Sequence, residues 1–214
     1  MIGRVEVRST ITDEEALRAV IGGEPQAVVV SKISDHLNDL TRQFVERSPF
    51  VCLATSAPDG SCDVSPRGDS AGFVRILDER TLLLPERPGN RIADSLRNIL
   101  ANPQVGLLFV IPGVGDSFRV NGRAILTDDA GLLAACEVGG KVPRLGIVVE
   151  IDEAYTQCSK AFIRSDLWNP ELHIDRSALP SAGAILKSLR DDEFDADAYN
   201  DARAGRYARR EGFY

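Results

Sequence analysis

The stretch of residues 81–111, TLLLPERPGNRIADSLRNILANPQVGLLFVI, constrains the fold more than any other part of the chain. It opens as an apolar strand at 81–84 and enters a turn with two prolines and a glycine. An amphipathic helix then starts at about Arg91, with Ile92, Leu96, Ile99 and Leu100 at helical spacing. Asn102-Pro103 stops that helix, because proline disfavours helical geometry before it, and 105–111 follows as a fully apolar, buried strand. The turn therefore delivers the chain to a helix N-terminus, where first-turn N–H groups lack intrahelical partners and the dipole favours negative charge. Arg87 and Arg91 bracket it. Two readings stand: a phosphate site, since unpaired amides and guanidinium forks both suit phosphate oxygens, or a surface turn with solvated arginines.

Around this unit the pattern is mostly short strands. Residues 50–55 and 61–65 flank Ala57-Pro58-Asp59-Gly60 as an antiparallel hairpin. Pro66-Arg67-Gly68-Asp69-Ser70 follows as a loop. Its glycine would let backbone approach a ligand while Arg67 points a forked donor at it; an exposed turn with an Arg67–Asp69 pair is the alternative. Residues 72–77 and 81–84 form another hairpin, and 118–126 and 146–151 add further strands. About six or seven short strands with short connections argue for an antiparallel barrel or sandwich with helices as lids.

Helices are expected elsewhere. Thr12-Asp13-Glu14-Glu15 is a capping box for a helix to Ile21, and Ser34 caps one with Leu37, Leu40, Phe44 and Val45 on its buried stripe. Between them, 28–33 reads as a short strand or extended arm. Thr127-Asp128-Asp129 opens a helix ended by Gly139-Gly140. A helix over 156–167 places Lys160, Arg164 and then Trp168 on one face; a solvated basic edge with Trp168 in the core is the alternative. From Asp191 the tail is acidic first and basic later, a mobile segment or an arm lying on a partner subunit.

Composition excludes several classes. The chain has 214 residues, 43% hydrophobic and 27% charged, an ordinary globular balance, and its net charge of −7 argues against nucleic acid as a partner. No apolar run approaches the ~18 residues that span a bilayer, and the N-terminus lacks a signal-peptide core, so no membrane partner and a cytoplasmic location are expected. The four cysteines show no CxxC spacing and read as reduced and mostly buried. Two histidines leave no metal site and no Ser-His-Asp arrangement. A P-loop is absent, and Gly113-Val114-Gly115 lacks the third glycine of a dinucleotide fingerprint.

Taken in order, Ser65-Pro66-Arg67-Gly68-Asp69, Arg87-Pro88-Gly89-Asn90-Arg91, the amphipathic helix, Asn102-Pro103-x-Val105-x-Leu107-Leu108-Phe109, Arg119-Val120-x-Gly122-Arg123-Ala124 and Ile163-Arg164-Ser165-x-Leu167-Trp168 form a set. It resembles the pyridoxamine 5′-phosphate oxidase-like family of FMN-binding split barrels, in its "probable FMN-dependent enzyme" branch, over about residues 50–168. The resemblance implies a mainly β (α+β) fold: an antiparallel six- to seven-stranded split β-barrel of Greek-key type with peripheral helices. It implies residues 1–47 as a helical segment packing on the barrel, 48–170 as the FMN-binding domain and 171–214 as an extension or arm, one domain overall.

It further implies a homodimer with FMN at the subunit interface and a small-molecule substrate. Asn90 and Arg91 match the phosphate-binding positions, and Leu84 and Pro85 the end of the strand beside the flavin ring. Ser117 falls near a family flavin contact; Arg67, Gly68 and Asp69 lie on the preceding strand and loop. Lys160, Arg164 and Trp168 would come from the second subunit. No catalytic residue is assigned, because hydride chemistry would belong to the flavin. Residues 205–214 contain no histidine, unlike the oxidases that act on vitamin B6, so that substrate is not expected. An FMN-dependent oxidoreductase is the first expectation. An F420-using reductase and a non-enzymatic flavin or haem carrier or sensor are the alternatives.

Overall fold

Asp13 caps the first helix, its carboxylate accepting from the Ala16 N–H at 2.8 Å, with Glu14 and Glu15 adding negative charge in the first turn. This helix, α1 (Glu14–Ile21), belongs with α2 (Ala27–Val30) to the first of two units into which the chain divides at Ser34. The computed structural model describes residues 5–190 and 193–214. Residues 28–33, expected as a strand or arm, begin inside α2 instead. A lone strand leaves its backbone unpaired, whereas one helical turn closes its own bonds: the Ser31 N–H reaches the Ala27 carbonyl at 2.9 Å.

The second unit runs through α3 (Arg42–Arg47), β1 (Phe50–Ser56), β2 (Cys62–Gly68), β3 (Arg75–Asp78), β4 (Thr81–Pro85), α4 (Asp94–Ala101), β5 (Gln104–Val110), β6 (Ser117–Thr127), α5 (Ala130–Leu133), β7 (Gly146–Gln157), α6 (Lys160–Ser165), α7 (Ala182–Ser188) and α8 (Ala196–Ala208). The seven strands form one sheet in the order β2-β1-β5-β6-β7-β4-β3, with neighbours antiparallel. Among the described residues β2 and β3 do not pair with each other, so the sheet stays open. This is the expected mainly β split barrel with peripheral helices.

Period-two burial sets the inner face. Val51 and Leu53 of β1, Val105, Leu107 and Phe109 of β5, and Phe118 and Val120 of β6 are buried in one core with Leu82, Leu84, Ile147 and Val149. The 105–111 run, read as buried throughout, alternates: Leu108 and Val110 are only partly covered. Phe118 is the centre of this core, stacked on Phe44 at 5.5 Å and tilted against Phe109 at 6.3 Å. The ladder shifts register between Asn121 and Gly122. Only glycine fits there, because a Cβ at 122 would lie 2.0 Å from the Glu150 carbonyl oxygen.

Several helices are shorter than their sequence patterns. Ser34 does not cap one: its N–H and C=O pair with Ala154 at 3.1 and 2.6 Å, which holds the chain extended. Asn38 then turns the chain, its Oδ1 accepting from Leu40 and Thr41, and α3 begins only at Arg42. After Asp129 caps α5, the helix tightens at once into a 3₁₀ turn, Ala134–Cys136. The expected helix over 156–167 loses its first turn to β7, because Thr156 and Gln157 stay paired with Phe118 and Ser117. Of the four cysteines, Cys62 and Cys158 are exposed and only Cys136 is buried.

The tail folds as well. α7 and α8 pack at Gly183, where a Cβ would meet the Ala196 carbonyl oxygen at 2.3 Å, and Asn200 bridges the Gly183 N–H and the Ser181 hydroxyl. The acidic start of this tail, at Asp191, lies outside the described residues.

Candidate functional site

Pairing of Pro85 with Gly146 brings two loops off the sheet side by side: the turn after β4 and residues 141–145 before β7. The Glu86 N–H extends that contact to the Leu145 carbonyl at 2.9 Å. With the end of β2, the start of α4, Phe73 and Tyr214, these loops line a cavity of about 1100 Å³.

The turn is shaped for an anion. Arg91 (φ 64) and Ala93 (φ 62) are both left-handed, a costly choice for non-glycine residues that bends the chain sharply into α4. Asn90 Oδ1 accepts from the Ile92 N–H at 3.0 Å and holds that bend. Ala93, at the N-cap of α4, offers no side-chain oxygen. The first-turn amides of Asp94, Ser95 and Leu96, which have no intrahelical partner, therefore receive no side-chain cap from residue 93.

Polar links orient α4. Ser95 donates to Asp63 on β2, Asn98 to the Thr55 hydroxyl at 3.0 Å, and Asn102 to the Ser56 hydroxyl at 3.0 Å. They turn Ser95 and Ile99 inward and leave Leu100 75% exposed; Ile92, outside the helix, is 58% exposed. The expected apolar stripe through Ile92 and Leu100 is thus corrected: side-chain hydrogen bonds, not apolar spacing alone, set the rotation.

Charge on the cavity wall is divided between spent and unspent groups. Arg87 is spent: Nε donates to Asp69 Oδ2 at 2.8 Å, Nη2 to the Cys136 carbonyl at 2.9 Å, and its guanidinium lies 5.2 Å from the Tyr214 ring centroid. Arg67 pairs with Glu86 across the cleft, so the expected Arg67–Asp69 alternative does not form. Its Nε is buried without a partner among the described residues. Arg91 and Arg144 have no side-chain hydrogen bond or ion pair among the described residues, and both line the cavity.

Asp69 is almost fully buried, its side chain 2% exposed. Burial pushes its carboxyl upward, but the Ser70 N–H, the Tyr214 hydroxyl and Arg87 together hold it below the usual carboxylate range. Tyr214 moves the other way, its phenol raised first by the hydrogen bond to Asp69. A carboxyl depressed on folding contributes stability above its unfolded pKa, ~3.9, and loses it as pH falls through the lower folded value. Asp69→Asn is accordingly expected to lower the urea midpoint at neutral pH, with the gap from wild type narrowing as pH falls below the unfolded carboxyl pKa of ~3.9. A gap that stayed constant with pH would show that the carboxylate charge is not what stabilises.

Of the residues expected at the site, Arg67, Gly68, Pro85, Asn90 and Arg91 line the cavity. Asp69 stands behind it, gripping Arg87 and Tyr214, while the side chain of Leu84 points into the core. Ser117, Lys160, Arg164 and Trp168 are not among the lining residues and belong to the region of the 112–117 loop and α6. There Ser117 is buried at the start of β6, and Trp168 donates to the Val114 carbonyl at 2.9 Å and stacks on Phe162 at 5.9 Å. α6 ends at Ser165 with Asp166 left-handed, so Trp168 does not share a helical face with Lys160 and Arg164. Glu86, Lys141, Arg144 and Tyr214 were not anticipated. Recognising β4 and β7 as partners would have placed 141–145 beside the turn; nothing local signals Tyr214.

Residues 37–158 match a family model described as pyridoxamine 5′-phosphate oxidase. No curated protein matches the sequence at a significant level. Solved structures similar to this chain include HupZ from Group A Streptococcus, 16% identical, covering 57% of this chain and 95% of its own, with a TM-score of 0.47. A putative pyridoxamine 5′-phosphate oxidase from Lactobacillus delbrueckii is 21% identical, covering 57% and 95%, with a TM-score of 0.45. An FMN-binding protein from Syntrophomonas wolfei is 12% identical, covering 55% and 88%, with a TM-score of 0.41.

Proposed function

The chain belongs to the pyridoxamine 5′-phosphate oxidase family, and from that premise we propose that it is an FMN-dependent oxidoreductase acting on a small-molecule substrate. The observation that carries this reading is the Asn90–Arg91 turn: a helix N-terminus without a side-chain cap and an arginine with no side-chain partner among the described residues, both on the wall of one large cavity. The residues present fit a phosphate-bearing cofactor. Arg91, Arg144 and the first-turn amides of α4 supply donors for a phosphate dianion, and the buried Arg67 Nε lacks the acceptor that a bound ligand would bring. Pro66, Phe73, Pro85, Pro88, Val142 and Pro143 offer apolar surface for a planar ring.

Bound there, FMN supplies hydride transfer through its N5. The chain's own residues bind and orient. Asn90 holds the turn that presents Arg91, and the Arg67–Glu86 and Arg87–Asp69 pairs keep the strand ends together around the ligand. The second part of this reading is a homodimer, in which Lys160, Arg164 and Trp168 of a second copy complete the site.

The test is the absorption spectrum of the protein purified without added cofactor, then titration with FMN and, in parallel, F420. Flavin bands with released FMN, bleached by NAD(P)H and restored by an added acceptor, are the expected result. Uptake of F420 alone would replace the cofactor. A colourless protein that takes up neither would remove the oxidoreductase reading.

A further inference from the structure

Tyr214 is reached from α8 through Gly212, whose φ of +75 reverses the chain. Most of that connection is exposed, with Phe213 40% exposed. Tyr214 is held at three points. Its hydroxyl donates to Asp69 Oδ1 at 2.8 Å, its main-chain oxygen accepts from Lys141 Nζ at 3.1 Å, and its ring lies against the Arg87 guanidinium. Two of those partners stand on different walls of the cavity, Arg87 on the turn after β4 and Lys141 on the loop before β7, while Asp69 lies behind it, just past the end of β2.

We infer that Tyr214 is an access-controlling residue, a strap laid across the candidate cofactor site that forms one side wall when seated and slows exchange of a bound ligand. Because it packs on loop side chains rather than on the barrel core, it lifts without opening the sheet. Seated, it also occupies the face of Arg87, which leaves anionic groups of a ligand to Arg91 and Arg144. The ligand arm of this proposal rests on the FMN reading; the seating of Tyr214 does not.

The experiment compares the wild-type chain with Tyr214→Ala and Tyr214→Phe in two measurements. Hydrogen exchange without ligand reads Arg209, Arg210, Glu211 and Phe213, whose amides bond back to α8 and to Arg210. Protection in the wild type, lost in Tyr214→Ala and reduced in Tyr214→Phe, is expected. Free exchange of this segment in the wild type would overturn the strap, whatever the cofactor. FMN release, followed by flavin fluorescence on dilution, is expected to be about tenfold faster in Tyr214→Ala, with Tyr214→Phe intermediate because only the hydroxyl contact is lost. Unchanged release from a protein that binds FMN would also overturn it. If the wild type binds no FMN, the function proposed above fails, and hydrogen exchange alone decides the strap.

Discussion

Alanine in place of Arg91 is expected to weaken FMN binding by roughly 10- to 100-fold, the equivalent of about 1.5–3 kcal/mol for a charge-assisted phosphate contact. The fold should not notice the change. Arg91 is exposed and has no side-chain partner among the described residues, so its loss orphans nothing and leaves no cavity. Arg87, four residues earlier in sequence, makes the contrast. Truncating it would strand the buried Asp69 carboxylate and lower stability before affecting any ligand. Fluorescence titration with FMN beside a thermal melt separates the two outcomes. An Arg91→Ala protein with intact melting and unchanged affinity would remove Arg91 from the phosphate position.

Phe118→Ala is expected to cost about 3–5 kcal/mol, the range for deleting a fully buried aromatic ring. Phe118 is 0% exposed and touches both Phe44 and Phe109, while its strand pairs with β5 on one side and β7 on the other. Neighbours fixed by two ladders cannot collapse far into the space left behind. The loss is read as a lower urea midpoint at unchanged slope. A cost under about 1 kcal/mol would mean that the sheet relaxes around the gap and that the core is not rigid at this point.

How much of this was legible in the sequence depends on the range of the interaction. The hairpin around Asp59-Gly60 and the strand at 118–126 follow from period-two patterning and turn residues, and the strand at 81–84 from a short apolar run bounded by turns, signals that act over a few positions. Helices were overread where local caps met competing pairings. Ser34 is a good cap by type, yet its backbone finds Ala154, 120 residues away, and a ladder bond excludes the helix. The tail read as a mobile segment or an arm on a partner subunit because a charged, weakly amphipathic α8 has little to recommend it alone; Gly183 and Asn200 supply contacts that order it.

The sequence by itself determined the split-barrel elements, the stop at Asn102-Pro103 and the presence of a turn leading into α4, because turn residues and side-chain period are local properties; it set the helix start near Arg91, whereas left-handed Arg91 and Ala93 delay it to Asp94. Only the tertiary structure decided which charges are free. Arg87 and Arg91 are equivalent as letters, but Arg87 meets Asp69, Cys136 and Tyr214, and Arg91 meets none of them. The same holds for the walls of the cavity: residue 146 reaches 85 through a strand ladder, and residue 214 reaches 69 through one hydrogen bond spanning 145 positions. Such contacts are selected by the packing of the whole core, and no local pattern encodes them.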